Sequence, residues 1–277
     1  MLAMRRGITL LVAAATMLVL PFTASPAGAV IDGTDDTANR FQNVGALQLR
    51  LDGDEWAIFC SGTLVAENVV LTAAHCVDFF TAEVGEEGLG TDDLRVSFDV
   101  APDETSTYYY AETIVVHPDW LTAPAGRGNS KHLYLAPPAE DIALVFLTED
   151  VSGVTPAEVA DAGYLDGLDL TSETFTVVGY GTDAFVTGSA ASPQAVTIFD
   201  GVRSYRDVSV ITIHDAFPDR FVKITQSVCF GDSGGPLFHG DVLVALNSWT
   251  FSYRCSGPNL EYRVDAAAAQ EFLDTYL

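Results

Sequence analysis

A serine at position 233 lies in a short run of small, turn-forming residues, and its hydroxyl is a candidate nucleophile. The run reads Cys-Phe-Gly-Asp-Ser-Gly-Gly-Pro-Leu over residues 229–237, and it leads into an apolar, strand-like segment. Glycines relax backbone sterics, so the stretch can turn sharply and bring amide N–H groups to one point. We expect the amides of Gly231 and Ser233 to form an oxyanion hole. A glycine-rich hairpin with an incidental serine is the alternative for this stretch alone.

Two other positions supply the groups that a reactive serine needs. A serine hydroxyl becomes a good nucleophile when a base removes its proton, and a third group must orient that base. His75 lies at the end of an apolar run, in the sequence Thr-Ala-Ala-His-Cys, and Asp141 opens a second apolar run, in the sequence Asp-Ile-Ala-Leu. A core histidine and a solvent-exposed acid are the alternatives. We predict that His75 is the base, Asp141 the orienting acid and Ser233 the nucleophile.

The three motifs, in the order His, Asp, Ser, resemble those of the chymotrypsin/trypsin-like serine proteases. The resemblance extends over nearly the whole chain after the leader. It implies an all-β fold of two antiparallel six-stranded Greek-key β-barrels, with the active site between them and a C-terminal α-helix. The N-terminal barrel, with His75 and Asp141, is expected over residues 30–158, and the C-terminal barrel, with Ser233, over residues 159–277. The implied activity is hydrolysis of proteins or peptides through an acyl-enzyme.

Local patterns predict several strands and one helix. Residues alternate in strand fashion over 44–51, and Asp52-Gly53 is a hairpin signal before a second strand at 56–60. Asp265 is expected to cap a terminal helix over 266–276. Further strands are predicted at 62–65, 68–72, 208–212, 222–225 and 242–249, and residues 174–181 resemble the strand and glycine turn that open the family's second barrel.

The four cysteines predict disulfides in an exported protein. Three pairings are possible from their number alone. By the resemblance we expect Cys60–Cys76 and Cys229–Cys255. A zinc site is the alternative, but the close C-x-x-C spacing of zinc ligands is missing, so no metal is expected there.

The first 29 residues have the pattern of a secretory signal peptide. Arg5 and Arg6 precede an apolar run over residues 8–20, and Ala-Gly-Ala at 27–29 is a cleavage signal. A retained membrane anchor is the alternative, and the paired arginines leave the export route open. Cleavage after Ala29 would free Val30. By the resemblance, the α-ammonium of Val30 would form an ion pair with Asp232 and lock the reactive turn, although Asp32 departs from the family's usual glycine.

The resemblance also assigns a substrate pocket to five residues. Ser227 is expected at the floor, where it offers no charge to a basic side chain, so cleavage after Arg or Lys is disfavoured. The family commonly has glycine at the positions of Thr250 and Leu260. The side chains of these two residues would fill the pocket and favour small or medium apolar residues at the cleavage site. The pocket residues are Ser227, Ser248, Trp249, Thr250 and Leu260, of which Ser248 also supports Asp141.

Composition limits the partners. The 277 residues are 48% hydrophobic and carry a formal net charge of −25, which disfavours nucleic acid. We expect a secreted, extracellular monomer without membrane contact once the signal is removed, acting without a cofactor. Calcium binding by the acidic residues 83–104 is a weaker possibility than a solvated loop. A binding module with an inactive protease fold and a lipase or esterase are the rival functions.

Overall fold

The computed structural model describes residues 29–51, 55–81, 89–122, 140–182, 184–187, 195–198, 200–213, 219–252 and 255–277. The body of the predicted signal peptide, the hairpin turn at Asp52-Gly53 and residues 123–139 lie outside these ranges. In chain order the strands are β1 (Thr34–Asp35), β2 (Val44–Arg50), β3 (Trp56–Ala66), β4 (Val69–Thr72), β5 (Leu94–Ser97), β6 (Tyr109–Val116), β7 (Ala143–Leu147), β8 (Glu158–Val159), β9 (Phe175–Gly179), β10 (Ala184–Thr187), β11 (Ala195–Ile198), β12 (Ser204–Val208), β13 (Val210–Ile213), β14 (Phe221–Ile224), β15 (Pro236–His239), β16 (Val242–Thr250) and β17 (Asn259–Arg263). The helices are α1 (Ala74–Val77), α2 (Pro118–Thr122) and α3 (Ala267–Tyr276).

The first half of the chain forms a closed barrel in the order β2-β3-β4-β7-β6-β5. Strands β4 and β7 are runs of apolar residues, and nearly all of their side chains are buried. They pair antiparallel, with Thr72 opposite Ala143. This pairing matters for the site, because α1 follows the end of β4 and Asp141 precedes the start of β7.

Most strands of the second half, with β1, form a curved sheet in the order β1-β12-β9-β15-β16-β17-β14-β13, in which β8 also pairs with β16, while β10 and β11 form a separate two-stranded sheet. Strands β12 and β13 lie near opposite ends of this order, yet Ser209 alone separates them in the chain. The sheet therefore curls towards a barrel, but the ladder through the described strands does not close. The all-β prediction with a C-terminal helix is confirmed. The boundary between residues 158 and 159 stays a prediction.

A buried arginine joins the two halves. Arg203 is fully buried, and its Nε atom lies 2.9 Å from Oδ2 of Asp36, in the segment before the first barrel. Its Nη1 atom donates to the carbonyls of Val44 and Phe98, each at 2.9 Å. These hydrogen bonds satisfy a charge that would be costly to bury alone. They hold the N-terminal segment and the first barrel against the second sheet.

The terminal helix begins one residue later than predicted, and Asp265 does not cap it. Ala266 occupies the N-cap position without a side-chain hydrogen bond. The Asp265 carboxylate instead accepts from the amide of Leu165 at 2.8 Å and from Arg263. Among the described residues, no helix has the length and apolar character needed to cross a membrane.

Candidate active site

The β4–β7 ladder brings His75 and Asp141 together. Asp141 is fully buried, while 31% of the His75 side chain is exposed. Oδ2 of Asp141 lies 2.9 Å from Nδ1 of His75, and Oδ1 accepts the backbone N–H of His75 at 3.0 Å. One carboxylate therefore fixes both the ring and the backbone of the histidine. This leaves Nε2 as the ring nitrogen available to a substrate or nucleophile.

A third hydrogen bond to Asp141 comes from the second half of the chain. Oγ of Ser248, on β16, donates to Oδ2 of Asp141 at 2.6 Å. A buried carboxylate is stable when its lone pairs are satisfied by donors. The neighbouring Glu140 makes a similar contact, accepting from the hydroxyl of Tyr262 at 2.5 Å. Both acids thus tie the start of β7 to the sheet that carries the serine.

Ser233 lies in a tight turn whose glycines are required. Gly231 and Gly234 have φ angles of 95° and 77°, a region that favours glycine. A Cβ on Gly234 would lie 2.1 Å from Oγ1 of Thr72, so this turn packs against the end of β4. The carbonyl of Ser233 accepts the amide of Ser61 at 2.8 Å. The turn is therefore held directly beside the segment that carries His75.

Two amides of this turn stay available. Inside the turn, Asp232, Gly234 and Gly235 donate their N–H groups to backbone carbonyls at 2.8 to 3.1 Å. The N–H groups of Gly231 and Ser233 make no hydrogen bond to another described residue. Unused backbone donors at a glycine turn are what an oxyanion site requires.

Both expected disulfides are present. Cys60 is bonded to Cys76, and Cys229 is bonded to Cys255. The first joins β3 to α1, and the second joins the start of the Ser233 turn to the segment after β16. The sulfurs of Cys60 and Cys76 lie close to a ring nitrogen of His75. Because these sulfurs are bonded to each other, they cannot act as the thiolate ligands of a metal.

The acidic stretch expected as a calcium alternative is described only in part, since residues 82–88 lie outside the described ranges. Asp93 accepts from Arg50 and from the amide of Gly90. Its carboxylate is thus engaged within the protein.

Val30 contacts Ser204, and Asp232 packs against Gly179, the residue that pairs with Ser204. Asp232 is fully buried and accepts from the amides of Gly181 and Cys229, each at 2.9 Å. The amide of Val30 donates to Oγ of Ser204 at 2.6 Å, and Ser204 pairs with Gly179, against which the Asp232 carboxylate packs. In the uncut chain the nitrogen of Val30 is a peptide amide. The expected ion pair, which needs a free α-amine, stays a prediction.

Asn259, which is not among the predicted pocket residues, lies beside Ser227. Oδ1 of Asn259 accepts the amide of Ser227 at 2.9 Å, and its Nδ2 donates to the carbonyl of Val228 at 3.2 Å. Asn259 pairs with Thr250 across the β16–β17 ladder, so these two side chains share a face. Side chains of neighbouring residues in a strand point to alternate faces of the sheet, so that of Leu260 lies on the other face from Asn259. There Leu260 is buried and pairs with Trp249. The side chain beside Ser227 is therefore that of Asn259, while Leu260 lies on the other face of β17, and the pocket role of both residues stays a prediction.

Ser227, the predicted floor of the pocket, carries no charge. Ser227 is fully buried, and its hydroxyl donates to the carbonyl of Thr225 at 3.0 Å.

The pKa of His75 is raised above its usual value of 6.5. Burial has the largest single effect and lowers the pKa, but the charge and hydrogen bond of Asp141, with the charge of Asp78, outweigh it. A general base works only when it is deprotonated. If His75 is that base, kcat/KM should rise with pH through a midpoint above 6.5.

Asp78→Asn tests this electrostatic account. Removing the Asp78 charge should lower the pKa of His75 and move the acid limb of the kcat/KM profile to lower pH. The profile of an exposed-acid variant, Glu112→Gln, serves as the control and should match the wild type. An acid limb at or below pH 6.5 in the wild type, or no movement in Asp78→Asn, would contradict it.

Comparisons with known proteins show the family and the fold of this chain. A family model described as "Trypsin" matches residues 30–273. The chain is 30% identical over 224 residues to chymotrypsin-like elastase family member 1 of Canis lupus familiaris, covering 75% of this chain and 74% of that protein. It is 26% identical over 243 residues to a chymotrypsin-like serine proteinase of Haliotis rufescens, covering 86% and 88%. The solved structure of HL collagenase aligns with a TM-score of 0.63 at 20% identity, over 89% of this chain and 99% of that one, and supports the fold.

Proposed function

Because the chain belongs to the trypsin family of serine proteases, we propose that it is a secreted serine endopeptidase that works through His75, Asp141 and Ser233. The observation that carries the proposal is the fully buried Asp141, which accepts two hydrogen bonds from His75 and one from Ser248. This arrangement orients a histidine as a base beside the turn that holds a candidate serine nucleophile.

The catalytic steps follow from these contacts. Neutral His75 takes the hydroxyl proton of Ser233 as Oγ attacks the carbonyl carbon of the peptide bond. The amides of Gly231 and Ser233 donate hydrogen bonds to the negative oxygen that forms. His75, stabilised as an imidazolium by Asp141, then gives the proton to the leaving amine. Water attacks the resulting ester with His75 again as base; the ester C–O bond then breaks, His75 returns the proton to Oγ of Ser233, and the carboxyl product leaves.

The function is tested by digestion of an unstructured protein with the purified secreted enzyme. Fragments are identified by mass spectrometry, with and without a sulfonyl fluoride that modifies reactive serines. The proposal predicts internal cleavages that the inhibitor abolishes. Intact substrate, or cleavage insensitive to the inhibitor, would contradict it. Family members generally need no cofactor, and we propose that this enzyme acts without one on protein substrates.

Removal of the signal peptide would also activate the enzyme. Cleavage after Ala29 would free the α-ammonium of Val30, and by the family resemblance this group would form an ion pair with the buried carboxylate of Asp232. Breaking a buried ion pair by removing one partner costs about 3 kcal/mol or more.

We therefore expect one extra residue before Val30 to lower kcat/KM by about 100-fold, since 1.4 kcal/mol corresponds to tenfold. The measurement compares two purified forms from a cleavable fusion, one starting at Val30 and one a residue earlier. Equal activities would show that the free terminus has no role. N-terminal sequencing of the natural secreted protein should give Val-Ile-Asp-Gly.

The pocket favours small or medium apolar side chains at the cleavage site. Ser227 provides no countercharge for Arg or Lys, while Asn259 and Thr250 take up the space beside it.

Asn259→Gly should enlarge the pocket and raise the preference for Phe over Ala by about 10- to 100-fold, the range for extra methylene groups in a pocket. Leu260→Val changes a side chain on the opposite face and is the matched control, expected to keep the wild-type preference. The measurement is kcat/KM on a panel of chromogenic peptides. A larger change in Leu260→Val than in Asn259→Gly would contradict this assignment.

A further inference from the structure

The carboxyl group of Glu261 is buried without a partner and has no part in the catalytic steps. Glu261 lies in the middle of β17 and is fully buried. Neither of its carboxyl oxygens forms a hydrogen bond with a described residue. An ionised carboxylate in such a place would be strongly unfavourable. The amide of Ser248, in the β-bulge opposite, lies near enough to lower the pKa of Glu261, but neither carboxyl oxygen has a hydrogen-bond partner.

A second unpartnered acceptor lies beside it. Asn247 pairs with Glu261 across the β16–β17 ladder, so the two side chains share a face. Nδ2 of Asn247 donates to the carbonyl of Asp232 at 3.1 Å and to that of Val178 at 3.4 Å. Because both partners are acceptors, the amide group cannot be turned round. Its Oδ1 atom therefore faces away from them, and it too lacks a described donor.

One proton would give two of the three unpartnered oxygens a partner. We propose that Glu261 is a neutral carboxylic acid in the folded protein, and that its O–H donates to Oδ1 of Asn247, directly or through one buried water. Side chains that face each other across an antiparallel ladder have Cβ atoms about 4.5 to 5.5 Å apart, which is within this reach. A buried water that joins such groups is an ordinary feature of protein interiors.

The surrounding charges favour the neutral acid. Burial raises the pKa of Glu261 well above its usual value, the Ser248 amide partly offsets this, and the charge of Asp232 raises it further. On β14, Val222 faces Glu261, whereas Lys223 pairs with Leu260 and so lies on the other face. Arg263, two residues along β17, is bound to Asp265 and Asp166. Among the described residues, no basic side chain forms an ion pair with Glu261.

The proton acts on the Ser233 turn through Asn247. The backbone N–H of Asn247 donates to the carbonyl of Gly235, and its carbonyl accepts the amide of Gly234, both at 2.8 Å. Its side chain holds the carbonyl of Asp232. These three hydrogen bonds surround the nucleophile. Glu261 is therefore a positioning residue, and this part of the inference rests on the proposed function.

Two variants distinguish the effect of the Glu261 proton on kcat from the effect of the shape of the side chain. Glu261→Gln keeps the shape and a permanent donor, so kcat at neutral pH should stay within about threefold of the wild type. Glu261→Leu removes the donor and leaves Asn247 unsatisfied, so kcat should fall by about 10- to 100-fold with little change in KM. At alkaline pH, where Glu261 itself ionises, the wild type should lose kcat before Glu261→Gln does.

Two further measurements do not depend on activity. Infrared spectra at neutral pH should show the C=O band of a protonated carboxylic acid in the wild type, absent in Glu261→Gln and kept in the control Glu112→Gln.

The free energy of unfolding should depend on pH through the same Glu261 proton. The pKa of Glu261 is raised on folding, so its stabilising effect is full below the unfolded pKa and is lost as pH rises towards the folded pKa. Glu261→Gln should therefore lose less stability than the wild type between mildly acidic and alkaline pH.

The outcomes distinguish the two proposals. The absence of the infrared band, or parallel stability profiles of wild type and Glu261→Gln, would overturn the neutral Glu261. If Glu261→Leu does not fold, these two comparisons still decide the question. Equal kcat values in Glu261→Leu and Glu261→Gln would overturn the positioning role. A wild type that shows the band but hydrolyses no peptide would contradict the proposed function alone.

Discussion

Replacing Ser233 by alanine should lower kcat by about a million-fold and leave the fold intact, the effect seen when a triad serine is removed. The hydroxyl is the attacking group in the proposed mechanism, and no other described serine lies in a glycine turn that packs against the segment carrying His75. The backbone of Ser233, which holds the turn to Ser61, is unchanged by the substitution. The measurement is kcat on a chromogenic peptide, together with the thermal unfolding midpoint.

The exposed Ser172 provides a matched control, and Ser172→Ala should keep wild-type activity. A folded Ser233→Ala protein with activity within tenfold of the wild type would remove Ser233 from the mechanism. If the wild type itself shows no hydrolysis while it binds proteins, the binding-module alternative would gain support.

Asp141→Asn should lower kcat/KM by about 10,000-fold, the loss expected when a histidine is held in the wrong tautomer. Asp141 accepts from His75 with both oxygens and from Ser248 with one. The side chain of an asparagine has only one acceptor oxygen. Its NH2 group would therefore face one of the donors, on His75 or Ser248, that Asp141 now accepts. The imidazolium that forms during catalysis would also lose its countercharge.

Glu140→Gln is the control for this prediction, because the adjacent acid contacts Tyr262 rather than His75. A glutamine can still accept the Tyr262 hydroxyl, so activity should stay within about tenfold, as for the loss of one ordinary hydrogen bond. Comparable losses in the two variants would indicate a general disturbance of the loop and not a specific role of Asp141.

Much of the candidate site could be predicted from the sequence because its signals are local. Glycines are needed in the turn that holds Ser233, and the alanines before His75 are fully buried. The apolar run after Asp141 indicated that this acid would be buried at the entrance of a strand, and it is fully buried there. The pairing of the cysteines came from the family resemblance, since their number alone allowed three pairings.

Other features depended on residues distant in the chain. Asp265 was expected to cap α3, but the amide of Leu165 and the side chain of Arg263 take its carboxylate. Asn259 was missed because the register between β17 and β16, which includes a β-bulge, decides which residue of β17 lies beside Ser227. A usable signal was present at Asn247, a polar residue at the end of a run of buried apolar ones, since such exceptions mark functional or strained sites.

The most direct test of the central claim is to map where a fluorophosphonate reacts. This reagent forms a stable bond with a serine that is activated by a neighbouring base and an oxyanion site. Mass spectrometry of the labelled wild type should show one adduct, on Ser233, and labelling should be strongly slowed in a folded His75→Ala variant. Failure to label, an adduct on another residue, or equal labelling of His75→Ala would contradict the mechanism described for this enzyme.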